Sequence, residues 1–344
     1  MIKLGIIGAG LAVEKLHWPA LQKLTGEAKV VAVASRTQEK AENVARLVNA
    51  ARTDSDCRSL LADPKIDAVL IAVPIELNAP ILMEALAAGK HVIAEKPIAA
   101  NIHEAEQVLK LCSASDRVVV IAENFRYWEN LGRARDLLAS GKIGQASAFQ
   151  LEVRFDIDAV FRRPGMERPW RRFPRHAGGF VLDAGIHAVA GLREVLGDVA
   201  ELKAELLDGH PIIQGPDSLL MQMKLFNGAV GHYFTCYTAK VERETIFGLT
   251  AYGSRGSLRI NEGEFTCISD SDTSPKHFKT PNFDRGYYLQ WQNFFQAIRD
   301  EVAVVATPER AYGDLVVIDA ALRSASTGQT IRLDRKHYSQ TSQL

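Results

Sequence analysis

The 344-residue sequence carries no excess of either charge, because Lys plus Arg and Asp plus Glu both number 41. Without a basic surplus there is little to hold a phosphodiester backbone, so nucleic acid is not an expected partner. No run approaches the roughly 20 consecutive apolar residues that a membrane-crossing helix needs, and no membrane partner is expected. The opening stretch Met1–Gly8 is cut short by glycines and lacks a long apolar region ahead of a small-residue cleavage site. It reads as a strand and not as a signal peptide. Cysteines are few: Cys57, Cys112, Cys236 and Cys267 are far apart and form no Cys-x-x-Cys pair. That spacing suits neither zinc nor a disulfide framework, so no metal is expected, and reduced thiols fit a cytoplasmic location. Internal repeats and low-complexity segments are also missing.

What is present is a change of pattern along the chain. The first ~120 residues alternate short apolar runs with helical stretches, as a parallel sheet covered on both faces requires. Strands are expected at Lys3–Ile7, Val30–Ala34, Ala68–Val73, His91–Ala94 and Val118–Ala122. Helices are expected at Val13–Leu24, Gln38–Val48, Asn78–Ala88 and His103–Ser113, with Gly89 in the left-handed position that ends a helix. Beyond Ala122 the pattern becomes α+β. Helices are expected at Leu131–Ser140, Leu182–Leu196, Tyr287–Asp300 and Pro308–Ser326, and a series of mostly antiparallel strands between Ala146 and Ser269. Asn227-Gly228 signals a type I′ hairpin. The stretch 156–178, rich in Arg and Pro, is expected to be an irregular loop that covers a substrate, meets another subunit or is simply solvated. The fold class is therefore a doubly wound Rossmann domain followed by an α+β domain with a large, mostly antiparallel open sheet. Its division is 1–123 for the dinucleotide domain, 124–334 for the substrate and oligomerisation domain, and 335–344 for a frayed tail.

Gly8-Ala9-Gly10 follows the first strand and opens the first helix, with Leu11 and Ala12 next. A tight turn there lets a pyrophosphate approach backbone N–H groups at the positive end of a helix, which residues without a Cβ permit. Val13 stands where a third small residue is usual. The second strand ends in Ser35-Arg36-Thr37, with Lys40 one turn later, and no carboxylate occupies the position that grips an adenine ribose. A guanidinium fork and two hydroxyls suit a 2′-phosphate, so NADP is expected over NAD; Arg36 stacked on adenine would serve either. Ala72-Val73-Pro74 and Glu95-Lys96-Pro97 lie at carboxyl ends of strands, where open α/β sheets bind ligands. Lys96, directly after a buried strand, is positioned to bind a ribose or polarise a carbonyl beside a nicotinamide. Asp183 and His187 are four apart at the start of an expected helix, on one stripe away from Leu182, Ile186, Val189 and Leu196. Such a pair can exchange a proton with an alcohol or carbonyl while hydride moves.

Together, the Gly-Ala-Gly turn, Glu95-Lys96-Pro97 and Gly178–His187 (Gly-Gly-Phe-Val-Leu-Asp-Ala-Gly-Ile-His) resemble the Gfo/Idh/MocA oxidoreductases. These are named for glucose-fructose oxidoreductase, inositol dehydrogenase and a rhizopine-catabolism protein. The likeness extends to the Thr307-Pro308-Glu309 entry and the Ser324-Ala325-x-x-Gly328 exit of the last helix. It implies NAD or NADP as cofactor, sugar or polyol substrates, a homodimer or homotetramer, and catalytic positions at Lys96, Asp183 and His187. It also implies a cis peptide before Pro97. Asn78, Asn124 and Arg126 are implied on the cofactor side, and Tyr127 and Trp170 beside the substrate. The chain departs from the family pattern at Ala190, where an acid is usual, and at Asn78, where His is usual. Neither departure touches redox chemistry, but both weaken any assignment to inositol or glucose. Two other activities fit the same fold: a non-enzymatic dinucleotide sensor, and elimination or glycoside cleavage through transient oxidation.

Overall fold

A computed structural model describes residues 1–163, 169–211 and 213–338. The chain forms two compact units, Met1–Asn124 with Tyr287–Tyr312, and Phe125–Gly286 with Gly313–Leu344. A single cut after residue 123 does not anticipate the return of Tyr287–Tyr312 to the first unit. That return comes from packing: Tyr287–Ile298 is a helix that lies against the first helix of the chain.

The first unit is built on six parallel strands, β1 (Ile2–Ile7), β2 (Ala28–Ala34), β3 (Arg52–Asp54), β4 (Ala68–Ile71), β5 (His91–Glu95) and β6 (Val119–Ala122), in the order β3-β2-β1-β4-β5-β6. Strand direction of growth reverses between β1 and β4, which makes the switch point at which such sheets bind ligands. Val69, Leu70, Val92 and Ile93 are wholly buried, because helices cover both faces and a parallel sheet has no wet side. β3 escapes apolar patterning since it reads Arg-Thr-Asp; its Arg52 is held by Asp54 and by Asp63, the latter at 2.8 Å. The first helix spans 11–21 and contains a π turn at Val13–His17, where one uninterrupted α-helix was expected. The helix expected from Asn78 begins three residues earlier, at Ile75, so Asn78 lies inside it. Gly89 has φ +71°, the left-handed value its place requires.

The second unit carries nine strands: β7 (Ala146–Arg154), β8 (Val199–Leu207), β9 (Ser218–Leu225), β10 (Val230–Cys236), β11 (Thr245–Gly253), β12 (Gly256–Asn261), β13 (Glu264–Ser269), β14 (Lys276–Lys279) and β15 (Ile331–Arg332). Their order is β14-β13-β12-β11-β7-β10-β9-β8-β15, antiparallel except for β7 with β10. The edge strands β14 and β15 carry no apolar alternation; β14 reads Lys-His-Phe-Lys, the kind of charged edge that resists further pairing. Asn227-Gly228 does join β9 to β10. The turn is not type I′, because Gly228 has φ +91° while Asn227 stays at negative φ. Asn227 instead accepts a hydrogen bond from the Ala229 N–H at 3.1 Å.

Three further expectations change. The Arg-rich stretch is partly helical, at Ile157–Phe161 and Pro169–Arg172, and its residues 164–168 lie outside the described residues. The helix expected at Leu182–Leu196 is two, Gly179–Asp183 and Gly185–Leu196, parted at Ala184 with φ −97°. The tail expected to fray from 335 continues as a short 3-10 turn, Arg335–Tyr338, because Tyr338 is buried and donates to the Val199 carbonyl at 3.0 Å. Residues 339–344 lie outside the described residues.

Candidate active site

The site residues of the first unit gather at the carboxyl ends of neighbouring strands. Gly8 has φ +102°, and a Cβ there would stand 2.1 Å from the Ala72 carbonyl oxygen, so only glycine can sit between the ends of β1 and β4. A Cβ on Gly10 would meet nothing within 4 Å. The turn Gly8–Ala12 therefore has an open side at the start of helix 11–21, where N–H groups are not used by the helix itself. A dinucleotide pyrophosphate fits this arrangement. Ser35, Arg36, Thr37 and Lys40 follow β2; the last three are exposed, and neither Arg36 nor Lys40 has an ion-pair partner among the described residues. No carboxylate follows β2 directly. Ala72, Val73 and Pro74 are half-buried beside the glycines.

The end of β5 is held firmly. Asn78 Nδ2 donates to the Glu95 carbonyl at 2.7 Å and to the Pro97 carbonyl at 3.1 Å, so it grips the backbone on both sides of Lys96. Asn78, expected on the cofactor side, clamps this turn, while its Oδ1 is buried with no hydrogen-bond partner among the described residues. The Lys96–Pro97 peptide is cis. Glu95 accepts a hydrogen bond from His17, which sequence reasoning missed because a single histidine in an apolar helix carries no spacing signal. Asn124, at the end of β6, is buried.

In the second unit, Asp183 closes one short helix and His187 lies in the first turn of the next. The i, i+4 stripe of a single continuous helix is therefore not what relates them. Asp183 accepts from Arg171 Nε at 3.0 Å, and the Arg171 guanidinium lies 4.9 Å from the Trp170 ring centre. The Arg-rich stretch thus reaches a candidate catalytic carboxylate, a contact that composition alone did not disclose. The His187 ring stacks on Phe125 at 5.0 Å with an interplanar angle of 18°, which fixes the imidazole plane. Beneath both helices, a Cβ on Gly185 would meet the Tyr237 and Tyr233 hydroxyls at 3.2 and 3.3 Å. Burial pushes the Tyr237 phenol up to about 12, and the Asp183 charge adds to the effect.

Arg126, expected on the cofactor side, is paired within the second unit. Its buried guanidinium meets Asp314 at 2.6 Å and Glu194 at 3.4 Å; Arg193 shares Asp314, and Arg135 shares Glu194 at 2.6 Å. A buried cation must be paired, and these carboxylates supply the partners. Tyr127, expected beside the substrate, is buried in the same unit. Among the described residues no group of His, Cys, Asp or Glu could hold a metal ion, and no helix is long and apolar enough to cross a membrane.

Comparison with known proteins agrees with this geometry. Residues 2–123 match the model of an oxidoreductase family with an NAD-binding Rossmann fold, and residues 135–333 match the C-terminal alpha/beta domain of the same family. The chain is 28% identical to a D-xylose 1-dehydrogenase (NADP(+)) of Haloferax volcanii, over 96% of this chain and 99% of that one. An oxidoreductase structure from Thermotoga maritima superposes with TM-score 0.88 at 31% identity, covering 96% of this chain and 98% of that one. A levoglucosan dehydrogenase in complex with NADH has the same fold, with TM-score 0.88 at 23% identity over 97% of this chain and 99% of that one.

Proposed function

The chain belongs to the Gfo/Idh/MocA oxidoreductase family, and from that premise we propose that it is an NADP-preferring dehydrogenase or reductase acting on a sugar- or polyol-like substrate. The observation that carries the reading is the glycine turn at the switch point, with Lys96 at the end of β5 in the same unit. Arg36 and Lys40, exposed and unpaired after β2, are the groups that would meet a 2′-phosphate. The named activity of the Haloferax volcanii relative supports both the cofactor and the substrate class.

Bound at the glycine turn, a nicotinamide dinucleotide would supply the hydride acceptor or donor. His187 takes the hydroxyl proton during oxidation and returns it during reduction. Lys96 donates a hydrogen bond to a substrate oxygen and stabilises the charge that develops on it. Asp183 orients the imidazole or a substrate hydroxyl, with Arg171 holding the carboxylate in place. Four cysteines without disulfides fit a cytosolic enzyme, and the open nine-stranded sheet fits a homodimer or homotetramer.

The test is turnover of a panel of aldoses and polyols with NADP and NAD, followed by the absorbance of the reduced nicotinamide. Lys96→Ala and His187→Ala are each expected to lower kcat by about 10²- to 10⁴-fold, the range of a lost general acid–base or electrostatic group. Wild-type rates in both variants would overturn the assignments.

A further inference from the structure

Two polar side chains of the first unit, Asn78 and His17, bond the residue before Lys96, and His17 has no part in the chemistry above. His17 Nε2 lies 2.8 Å from Glu95 Oε1, and Trp291 Nε1 lies 3.1 Å from His17 Nδ1. An indole N–H can only donate, so Nδ1 is the acceptor and the ring proton of His17 sits on Nε2, facing the carboxylate. The hydrogen bonds therefore run one way, from Trp291 through His17 to Glu95. His17 and Trp291 are wholly buried. The rings of Tyr287 and Trp291 meet the imidazole edge-on at 5.6 and 5.7 Å and hold its plane.

We propose that His17, with its tautomer set by Trp291, is a positioning residue for Lys96 and acts through Glu95. The proposal rests on the assignment of Lys96 to the reaction. Asn78 already ties the carbonyls on either side of Lys96. The His17 bond adds the side chain of the preceding residue, so the backbone that launches Lys96 is gripped at three points. Fixing a reacting group this closely matters because a misplacement of about an ångström costs about 10²-fold in rate. The imidazole is suited to the task because, with one nitrogen accepting from the indole, it holds the carboxylate without placing a second cation beside the Lys96 ammonium. Its location follows from the first helix. That helix opens at the glycine turn, and its π turn, Val13–His17, ends on His17. π turns inside α-helices recur at functional sites. One short element thus joins the dinucleotide turn to the Lys96 turn.

A histidine that merely fills the core would show itself in stability alone, so the test separates orientation from folding. In the cofactor-free protein, ¹⁵N spectra of the histidines are expected to show His17 with a pyridine-type δ1 and a pyrrole-type ε2 nitrogen. Trp291→Phe is expected to mix the tautomers. His17→Phe keeps the ring and loses both hydrogen bonds, whereas His17→Gln keeps one donor and one acceptor. His17→Phe is expected to lower kcat by about 10- to 100-fold while dinucleotide affinity stays within about twofold, and His17→Gln to recover most of the loss. Acylation of Lys96 by acetic anhydride, read by peptide mass spectrometry without cofactor, is expected to change several-fold in His17→Phe and to return in His17→Gln. If His17→Phe does not fold, Trp291→Phe decides by the same readouts: wild-type kcat and wild-type Lys96 acylation would overturn the proposal. So would a protonated δ1 nitrogen in the wild type, or an inactive Lys96→Ala beside a fully active His17→Phe. A fully active Lys96→Ala would instead sink the catalytic reading, leaving the acylation rates to judge His17.

Discussion

Single residues decide which dinucleotide binds. Hydrogen bonds to a charged partner contribute about 1.5–3 kcal/mol, or about 10- to 100-fold in affinity. Arg36→Ala is therefore expected to weaken NADPH binding by about that factor and NADH binding by less than about threefold, measured by fluorescence titration. Equal losses would mean that Arg36 only stacks on adenine. Tyr237 offers a residue-scale test of burial. Its phenol titrates at about 12 in the folded chain against roughly 10 when unfolded. Below pH 10 both states hold the proton and this group gives no pH dependence. Above it the unfolded chain loses the proton first, so stability falls as pH rises from about 10 to about 12. Urea unfolding on either side of pH 10 should show that slope, and Tyr237→Phe should lessen it, the remainder coming from Tyr233 and Tyr338, which burial also pushes up.

At the scale of elements, the turn Asn124–Tyr127, the helix Gly185–Leu196 and the helix Pro308–Thr327 are joined in the second unit by buried charge. Arg126 comes from the first, Arg193 and Glu194 from the second, and Asp314 from the third. Asp314→Ala takes a shared carboxylate from two buried guanidinium groups, which keep Glu194 and Asp198, and is expected to cost about 1.5–3 kcal/mol in urea unfolding, as a lost hydrogen bond to a charged group does. A loss under about 1 kcal/mol would show that water enters the cluster. This network was not legible in the sequence: an Arg after a Rossmann strand looks like a ligand group, and its partners lie 68 and 188 residues away. The elements that sequence did reveal are those with strong local grammar. The glycine turn and the left-handed Gly89 each follow from a local demand on the backbone, whereas the cis Lys96–Pro97 peptide was implied by the family resemblance alone. The break at Ala184 and the π turn before His17 answer to tertiary packing and leave no comparable local signature.

For the whole molecule, the order of parallel and antiparallel sheets was legible because the spacing of apolar runs sets the type of connection. The return of Tyr287–Tyr312 to the first unit was not, since helix-to-helix contacts have no sequence period of their own. The same return brings Trp291 to His17 and ties two ends of the chain to the Lys96 turn. The central claim is that this molecule moves hydride between a carbon-bound hydrogen of its substrate and a nicotinamide. The most direct measurement starts from a substrate sugar deuterated at the carbon that is oxidised and follows the label with NADP by NMR. The account predicts one deuterium at nicotinamide C4 per sugar consumed, with the transfer lost in Lys96→Ala. Label released to water, or sugar consumed with the nicotinamide unlabelled, would contradict it.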